Sequence, residues 1–205
     1  MKPFHALAAG IATGLGGYAY LACSSRYLGA FMFGFGLWVV CEFGLPLYTG
    51  RCAYLGSKGA HPLPELLMML FFNMLGAVLV GLMYQPMADG QDVVLLANTK
   101  IGHGFLSALV RAALCGVIVF LSVEAFQRSR EPLGRYIGVV SGVALFIICG
   151  LDQCIADTFY MAAAFSQNQT FRWDAFPYLL TVIVGNALGG MGMRLLMPPR
   201  AKAAP

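Results

Sequence analysis

Phe31-Met-Phe-Gly-Phe-Gly-Leu-Trp-Val-Val-Cys-Glu-Phe-Gly44-Leu-Pro46-Leu-Tyr-Thr49-Gly50 and Val143-Ala-Leu-Phe146-Ile-Ile-Cys-Gly150-Leu-Asp152-Gln153-Cys-Ile-Ala-Asp157 occupy matching places in the two halves of the chain. Each stretch begins as a membrane helix, stops at a glycine and runs on into residues too polar to face lipid. Inside a bilayer, irregular backbone survives only where protein or a water-lined cavity satisfies its polar groups. Interrupted helices in corresponding halves point to a solute site near the midplane. The pattern therefore predicts a pore or transporter.

The composition agrees. Hydrophobic residues make up 59% of the 205 and charged residues 11%, with a mean hydropathy of +0.74. A soluble domain carries about a quarter charged residues. At roughly 20 residues per span, six spans fill the length and leave no soluble domain. They are drawn at about 4–21, 28–43, 66–87, 102–126, 135–150 with a continuation to 165, and 176–197. The runs are continuously apolar, without the alternation of a β-barrel, so helices are expected.

The net charge of +4 is not a nucleic-acid signal, because the basic residues sit in short loops and form no stripe. Lys2, Arg51, Lys58, Arg128, Arg130, Arg135, Arg194, Arg200 and Lys202 fall on one side; Arg26, Lys100 and Arg172 fall on the other. That asymmetry predicts cytoplasmic termini, and the membrane expected is a bacterial inner membrane. Trp173, Tyr178 and Tyr18 read as interfacial anchors. The apolar N-terminus is read as a first span rather than a signal peptide, because Gly10, Gly14, Gly16 and Gly17 suggest helix packing. The six cysteines contain no CxxC pair and read as small buried hydrophobes. His5, His61 and His103 are too scattered for a metal or haem site, and no HExxH, phosphate loop or nucleophile elbow is present. No cofactor and no enzymatic activity are expected.

An internal repeat is visible. Asn73-Met-Leu-Gly76 in the third span matches Asn186-Ala-Leu-Gly189 in the sixth, each following one of the two breaks at a similar distance. With three spans per unit, the second unit (about 102–197) must be inverted relative to the first (about 4–87), within a single transmembrane domain over 1–205. The Asn-x-x-Gly motifs serve either close helix packing or the pore lining. Phe33 and Phe146 are core aromatics or constriction residues. Arg111 lies inside the fourth span and Asp157 in the fifth; such charges are rare in a membrane. An Arg111–Asp157 or Arg111–Glu42 pair, an anion ligand and an interface role are all open to Arg111. Glu42 and Glu124 lie near span ends. Asp152 reads as the N-cap of the helix after the second break.

These residues resemble the formate/nitrite transporters. Phe33-Gly-Phe-Gly-Leu37-Trp-Val-Val looks like the family's second span, and Leu47-Tyr48-Thr49-Gly50 like its Leu-Phe-Thr loop. Thr99-Lys100-Ile-Gly-His103-Gly-Phe105 resembles the lysine-containing approach to the fourth span. Phe146 to Asp157 resembles the broken fifth span, and Val184 to Gly190 the sixth. The resemblance implies a homopentamer of six-span, aquaporin-like protomers, each with its own pore for small monovalent anions or weak acids. It also implies Phe33, Leu37 and Phe146 as apolar constrictions, with Thr49, Gln153, Leu47, Tyr48 and Val119 at the centre. Lys100, with His103 beside it, would attract anions into an outer vestibule. The departures are equally specific. Gln153 stands where the family has its central histidine, and glutamine has no proton to exchange near neutral pH. Gly116 replaces an asparagine expected to face the pore, and Arg111 and Asp157 add charges where the family is neutral. A glutamine-lined waist also fits a pore for water, urea or ammonia, and a third expectation is a non-conducting membrane subunit.

Overall fold

The computed structural model describes residues 2–56 and 61–198, and all regular structure in them is helical. Lys58, Arg200 and Lys202, counted above toward the cytoplasmic side, lie outside the described residues. The helices are α1 (Pro3–Ala22), α2 (Arg26–Glu42), α3 (Tyr48–Arg51, continued by a 3-10 turn at Cys52–Tyr54), α4 (Leu63–Leu82), α5 (Val93–Ile101), α6 (Phe105–Arg128), α7 (Pro132–Ile148), α8 (Cys154–Asn168) and α9 (Ala175–Leu196). Of these, α4, α6 and α9 are long and apolar enough to cross a membrane; α7 is as apolar but shorter. Helix α1 matches α4 in length, but its four glycines dilute its hydropathy.

The long helices carry apolar stripes that the other described residues leave uncovered. On α9, Phe176, Leu180, Val184 and Leu188 follow one another at four-residue spacing and are each at least half exposed. Leu106, Val110 and Leu114 on α6, and Leu63, Leu67 and Phe71 on α4, repeat the pattern. In water such faces would aggregate; against lipid tails they cost nothing. The protein is an integral membrane protein.

The stretch between the third and fourth spans, read as a loop, contains α5. Asp92 starts it by accepting from the Leu95 amide at 2.9 Å. Nine residues are too few to span a bilayer, and the amphipathic signal over them is weak. The helix nonetheless carries Lys100 into the protein.

Both breaks have the same construction. Helix α2 ends before Gly44, whose φ is +62°, and α7 ends before Gly150, whose φ is +65°. This left-handed conformation is open to glycine at little cost. At the first break, Asn73 accepts from the Tyr48 amide (2.8 Å) and donates to the Pro46 and Ala6 carbonyls (3.0 and 2.7 Å). At the second, Asn186 accepts from the Cys154 amide (2.9 Å) and donates to the Asp152 and Ala112 carbonyls (2.8 Å each). Each asparagine thus satisfies the first amide of the resumed helix, a carbonyl of the unwound link and a carbonyl of a neighbouring helix. Both are fully buried. The packing role foreseen for these motifs holds at their glycines, where a Cβ on Gly76 would lie 2.3 Å from the Leu7 carbonyl oxygen and one on Gly189 would lie 1.8 Å from that of Ala113. The asparagines add a clamp on the link in place of pore lining.

The glycines around the clamps let the backbones touch. A Cβ at Gly10 would lie 1.9 Å from the Asn73 carbonyl oxygen, and one at Gly116 would lie 2.2 Å from that of Asn186. Gly116 is therefore a helix contact of α6 with α9, and reading it as a lost polar pore residue is corrected.

Replacing Asn186 by alanine strands three buried backbone groups at about 1–3 kcal/mol each. The Asn186→Ala protein should melt many degrees lower in detergent, and Asn73→Ala likewise. A melting temperature within a degree of the parent's would refute the clamp.

Candidate functional site

The resumed helices begin next to each other at the centre. Gln153 caps α8: its Oε1 accepts from the Ala156 amide at 2.6 Å. Its Nε2 donates to Thr49 Oγ1 in α3 at 3.2 Å, joining the two breaks through one side chain. The cap is Gln153 and not Asp152, whose carboxylate is drawn elsewhere. Gln153 also borders a cavity of about 10 Å³ with Thr13, Phe33, Leu37, Leu47, Val119, Val143 and Phe146. That space holds about one water molecule. The Phe33 and Phe146 rings meet edge to face with centroids 5.9 Å apart, and both are buried. Thr49 sits behind Gln153, and Tyr48 contributes its backbone amide to the Asn73 clamp. The waist is thus a greasy plug with one hydrogen-bonding pair and no charge.

Above it lies a charged floor. Lys100, in the last turn of α5, is buried; its Nζ lies 2.7 Å from Asp152 Oδ1, 3.0 Å from Asp157 Oδ1 and 3.2 Å from the Leu151 carbonyl. Asp157 Oδ2 accepts from Tyr178 Oη at 2.8 Å. One expectation is corrected here: Asp157 does not pair with Arg111, because the first turn of α8 delivers it to Lys100. Lys100 lines the vestibule as expected, with two carboxylates against its ammonium. Burial works against the ammonium, but Asp157 and Asp152 outweigh it and hold the lysine above its ordinary range. Tyr178 is likewise a buried partner of Asp157 and no interfacial anchor; Trp173 remains exposed.

A vestibule of about 450 Å³ opens over this floor, with Lys100, His103, Arg26, Arg111, Asp92 and Tyr160 in its wall. Arg111 donates through Nη1 to the Gly150 carbonyl (3.0 Å) and through Nε to Ser107 Oγ (3.3 Å). It does not reach Glu42, which lies exposed at the end of α2. Arg26 donates through Nη2 to the Ile148 and Ile147 carbonyls at 2.8 and 3.3 Å. Arg26 thereby bonds carbonyls of the last turn of α7, where the helix dipole is negative, and Arg111 bonds a carbonyl of the link that follows. Sequence reading counted Arg26 only toward topology. Its one clue was that it stands alone on a side otherwise poor in cations. At the opposite face, Glu124 is almost fully buried and takes Arg128 Nε at 2.6 Å and the Tyr54 hydroxyl. It ties the 3-10 turn after α3 to α6 instead of snorkelling. Among the described residues, no group of three or more His, Cys, Asp or Glu is placed to hold a metal ion.

The gaps after α2 and α7 thus meet at a small uncharged cavity beside a larger, cation-lined one. The family model described as Formate/nitrite transporter matches residues 3–198. The chain belongs to the formate/nitrite transporter family. Curated relatives include a formate channel of Bacillus thuringiensis, 24% identical over 80% of this chain and 69% of its own length. A formate-nitrite transporter of Plasmodium knowlesi is 26% identical over 89% of this chain and 67% of its own. Among solved structures, a pentameric formate channel with formate bound superposes with a TM-score of 0.81 at 20% identity, covering 95% of this chain and 93% of its own. A second, an ion channel of the same family, gives 0.80 at 24% identity over 96% and 90%. These likenesses establish the fold. Within that fold this formate/nitrite transporter family member places Gln153 between Thr49 and the small apolar cavity, and Lys100, Arg26 and Arg111 in the wall of the larger one.

His103 is the vestibule's neutral member. Burial, opposed by the Asp152 carboxylate 3.7 Å from its Nδ1, holds the imidazole below the usual histidine range. A depressed folded value means that its contribution to stability is complete above about pH 6.5, the unfolded value. The contribution is lost as the pH falls through the folded value. His103→Gln should therefore narrow the difference in melting temperature between neutral and mildly acidic buffer. An undiminished difference would show that the ring is not held neutral.

Proposed function

We propose that the protein is a membrane channel or transporter for small monovalent anions or their weak acids, formate, nitrite or similar. The observation that carries this reading is the waist of Phe33, Leu37 and Phe146, which has room for about one water and no charge. Family membership supports it. A bare anion entering such a plug loses its hydration and meets no compensating charge, at a cost of many kcal/mol. The neutral acid carries no such penalty. Transport is then linked to protons: the anion gathers in the vestibule, takes up a proton where the dielectric falls, and crosses as the acid. Gln153 hydrogen-bonds the passing acid but exchanges no proton with it. The protein supplies the route and no bond-making chemistry, so it is not an enzyme.

The assembly proposed is one channel domain of six spans in an inverted 3+3 repeat, with the second and fifth interrupted. The twin asparagine clamps support this: Ala6, Gly44 and Tyr48 correspond in turn to Ala112, Gly150 and Cys154. Five such protomers form a homopentamer, as in the solved formate channel, with the uncovered apolar stripes facing lipid or neighbours. It lies in a bacterial inner membrane with both termini in the cytoplasm, a placement the basic-residue bias favours. A pore for neutral solutes is the second reading, favoured by the uncharged Thr49–Gln153 pair.

Purified protein in liposomes should pass formate, and faster as the outside pH is lowered from neutral. Rates flat with pH would count against passage as the acid, urea flux without formate flux would favour the neutral-solute pore, and no flux of either would mark a non-conducting subunit. Phe146→Ala should raise formate flux several-fold by opening the plug. Gln153→His in the same assay tests whether the waist's glutamine sets selectivity.

A further inference from the structure

In a pore that gathers anions, the buried lysine is the obvious attractor, yet here it is spoken for. Asp152 and Asp157 both reach Lys100, so its charge is offset within the floor. Asp92, which caps α5, adds another carboxyl group to the wall. An anion approaching these groups alone finds no unpartnered cation.

Two side chains supply what is missing. A Cβ built on Gly150 would lie 3.5 Å from Arg111 Nη1 and 3.7 Å from Arg26 Nη2, so both guanidiniums converge on one point. Gly150 leaves that point open, and both arginines border the vestibule there. Among the described residues neither has a carboxylate partner; their bonds run to the Ile147, Ile148 and Gly150 carbonyls and the Ser107 hydroxyl. A guanidinium offers five N–H donors, and these contacts engage Nη2 of Arg26 and Nη1 and Nε of Arg111. Like charges held side by side repel, and an anion placed between them relieves the repulsion. The remaining N–H groups of both forks have no hydrogen bond to the described residues, and both side chains line the cavity.

We propose that Arg26 and Arg111 form the anion-capture site of this protein, selective for small planar oxyanions such as formate or nitrite. The planar guanidinium fork matches two oxygens on one centre, which a spherical halide does not offer. This rests on the reading of the chain as an anion or weak-acid pore, and it places first contact with the substrate on residues other than Lys100.

The test uses the full-length protein in liposomes and in detergent. In Arg26→Gln/Arg111→Gln, the formate concentration giving half-maximal uptake should rise at least about tenfold. The steep loss of uptake with added salt expected of the parent should flatten. Arg26→Lys/Arg111→Lys keeps the charge and loses the fork. It should retain most of the salt dependence while chloride competes with formate better than in the parent. A half-saturating concentration within about twofold of the parent's in the glutamine variant would overturn the proposal. So would a fall in maximal rate alone, shared by both variants, since that pattern belongs to a purely structural helix cap. Thermal unfolding in detergent separates this inference from the transport reading. Formate should raise the melting temperature of the parent and not of the glutamine variant. A parent that formate stabilises but that moves no formate would refute the channel and keep the site; a parent showing neither would refute both.

Discussion

Backbone polar groups have no partner in the apolar interior of a membrane, and two places in this protein leave them without a helix to bond to. Asn73 and Asn186 settle that problem, each with one acceptor and two donor contacts at distances of 2.7–3.0 Å. Without them the unwound links after Gly44 and Gly150 would expose bare carbonyls and amides, and the chain would rewind or fail to insert. The position of Thr49, Gln153 and the aromatic plug follows from where those links are held. Gly10 and Gly116 complete the device, since only bare α-carbons let α1 and α6 approach the asparagine backbones closely enough.

Charge follows the same economy. The second link emerges at the start of α8, where Asp157 in the first turn suits the positive end of the helix dipole. Asp152 in the link joins it on Lys100, and a buried ammonium between two carboxylates fixes α5 against α8. At the preceding helix end the polarity is opposite, and Arg26 meets carbonyls of α7 while Arg111 meets one of the link that follows. One interruption thus sorts acids and bases to opposite sides of a few residues. Breaking such a buried set by removing one partner is costlier than never having built it.

Much of this was legible before any coordinates. The glycine-terminated apolar runs end where α2 and α7 end, before Gly44 and Gly150, and the repeated Asn-x-x-Gly lies on the helices that carry the clamps, though without their role. What failed were inferences about which partner each side chain finds. Arg111 and Asp157 were natural partners by charge and depth, yet a short helix absent from the hydropathy profile brings Lys100 to Asp157 first. Helix α5 escaped notice because its nine residues, Val93–Ile101, are too few to register as a span. Asp152 was the better N-cap by propensity, but Gln153 occupies the cap because Asp152 is committed to a salt bridge. Tyr178 shows the same limit: aromatic residues near span ends read as anchors until a buried acid is found to need a donor.

The dual use of Gln153 bears on how the family can diversify. One side chain terminates the unwound link through its oxygen and presents its nitrogen to Thr49 beside the passage. Any replacement must still accept a hydrogen bond from the Ala156 amide, or the start of α8 loosens. On the proposed function, substrate preference and structural integrity are therefore inherited together at this position. Evolution toward a different cargo is funnelled through the few polar residues that can do both jobs, and larger shifts must recruit change elsewhere in the wall.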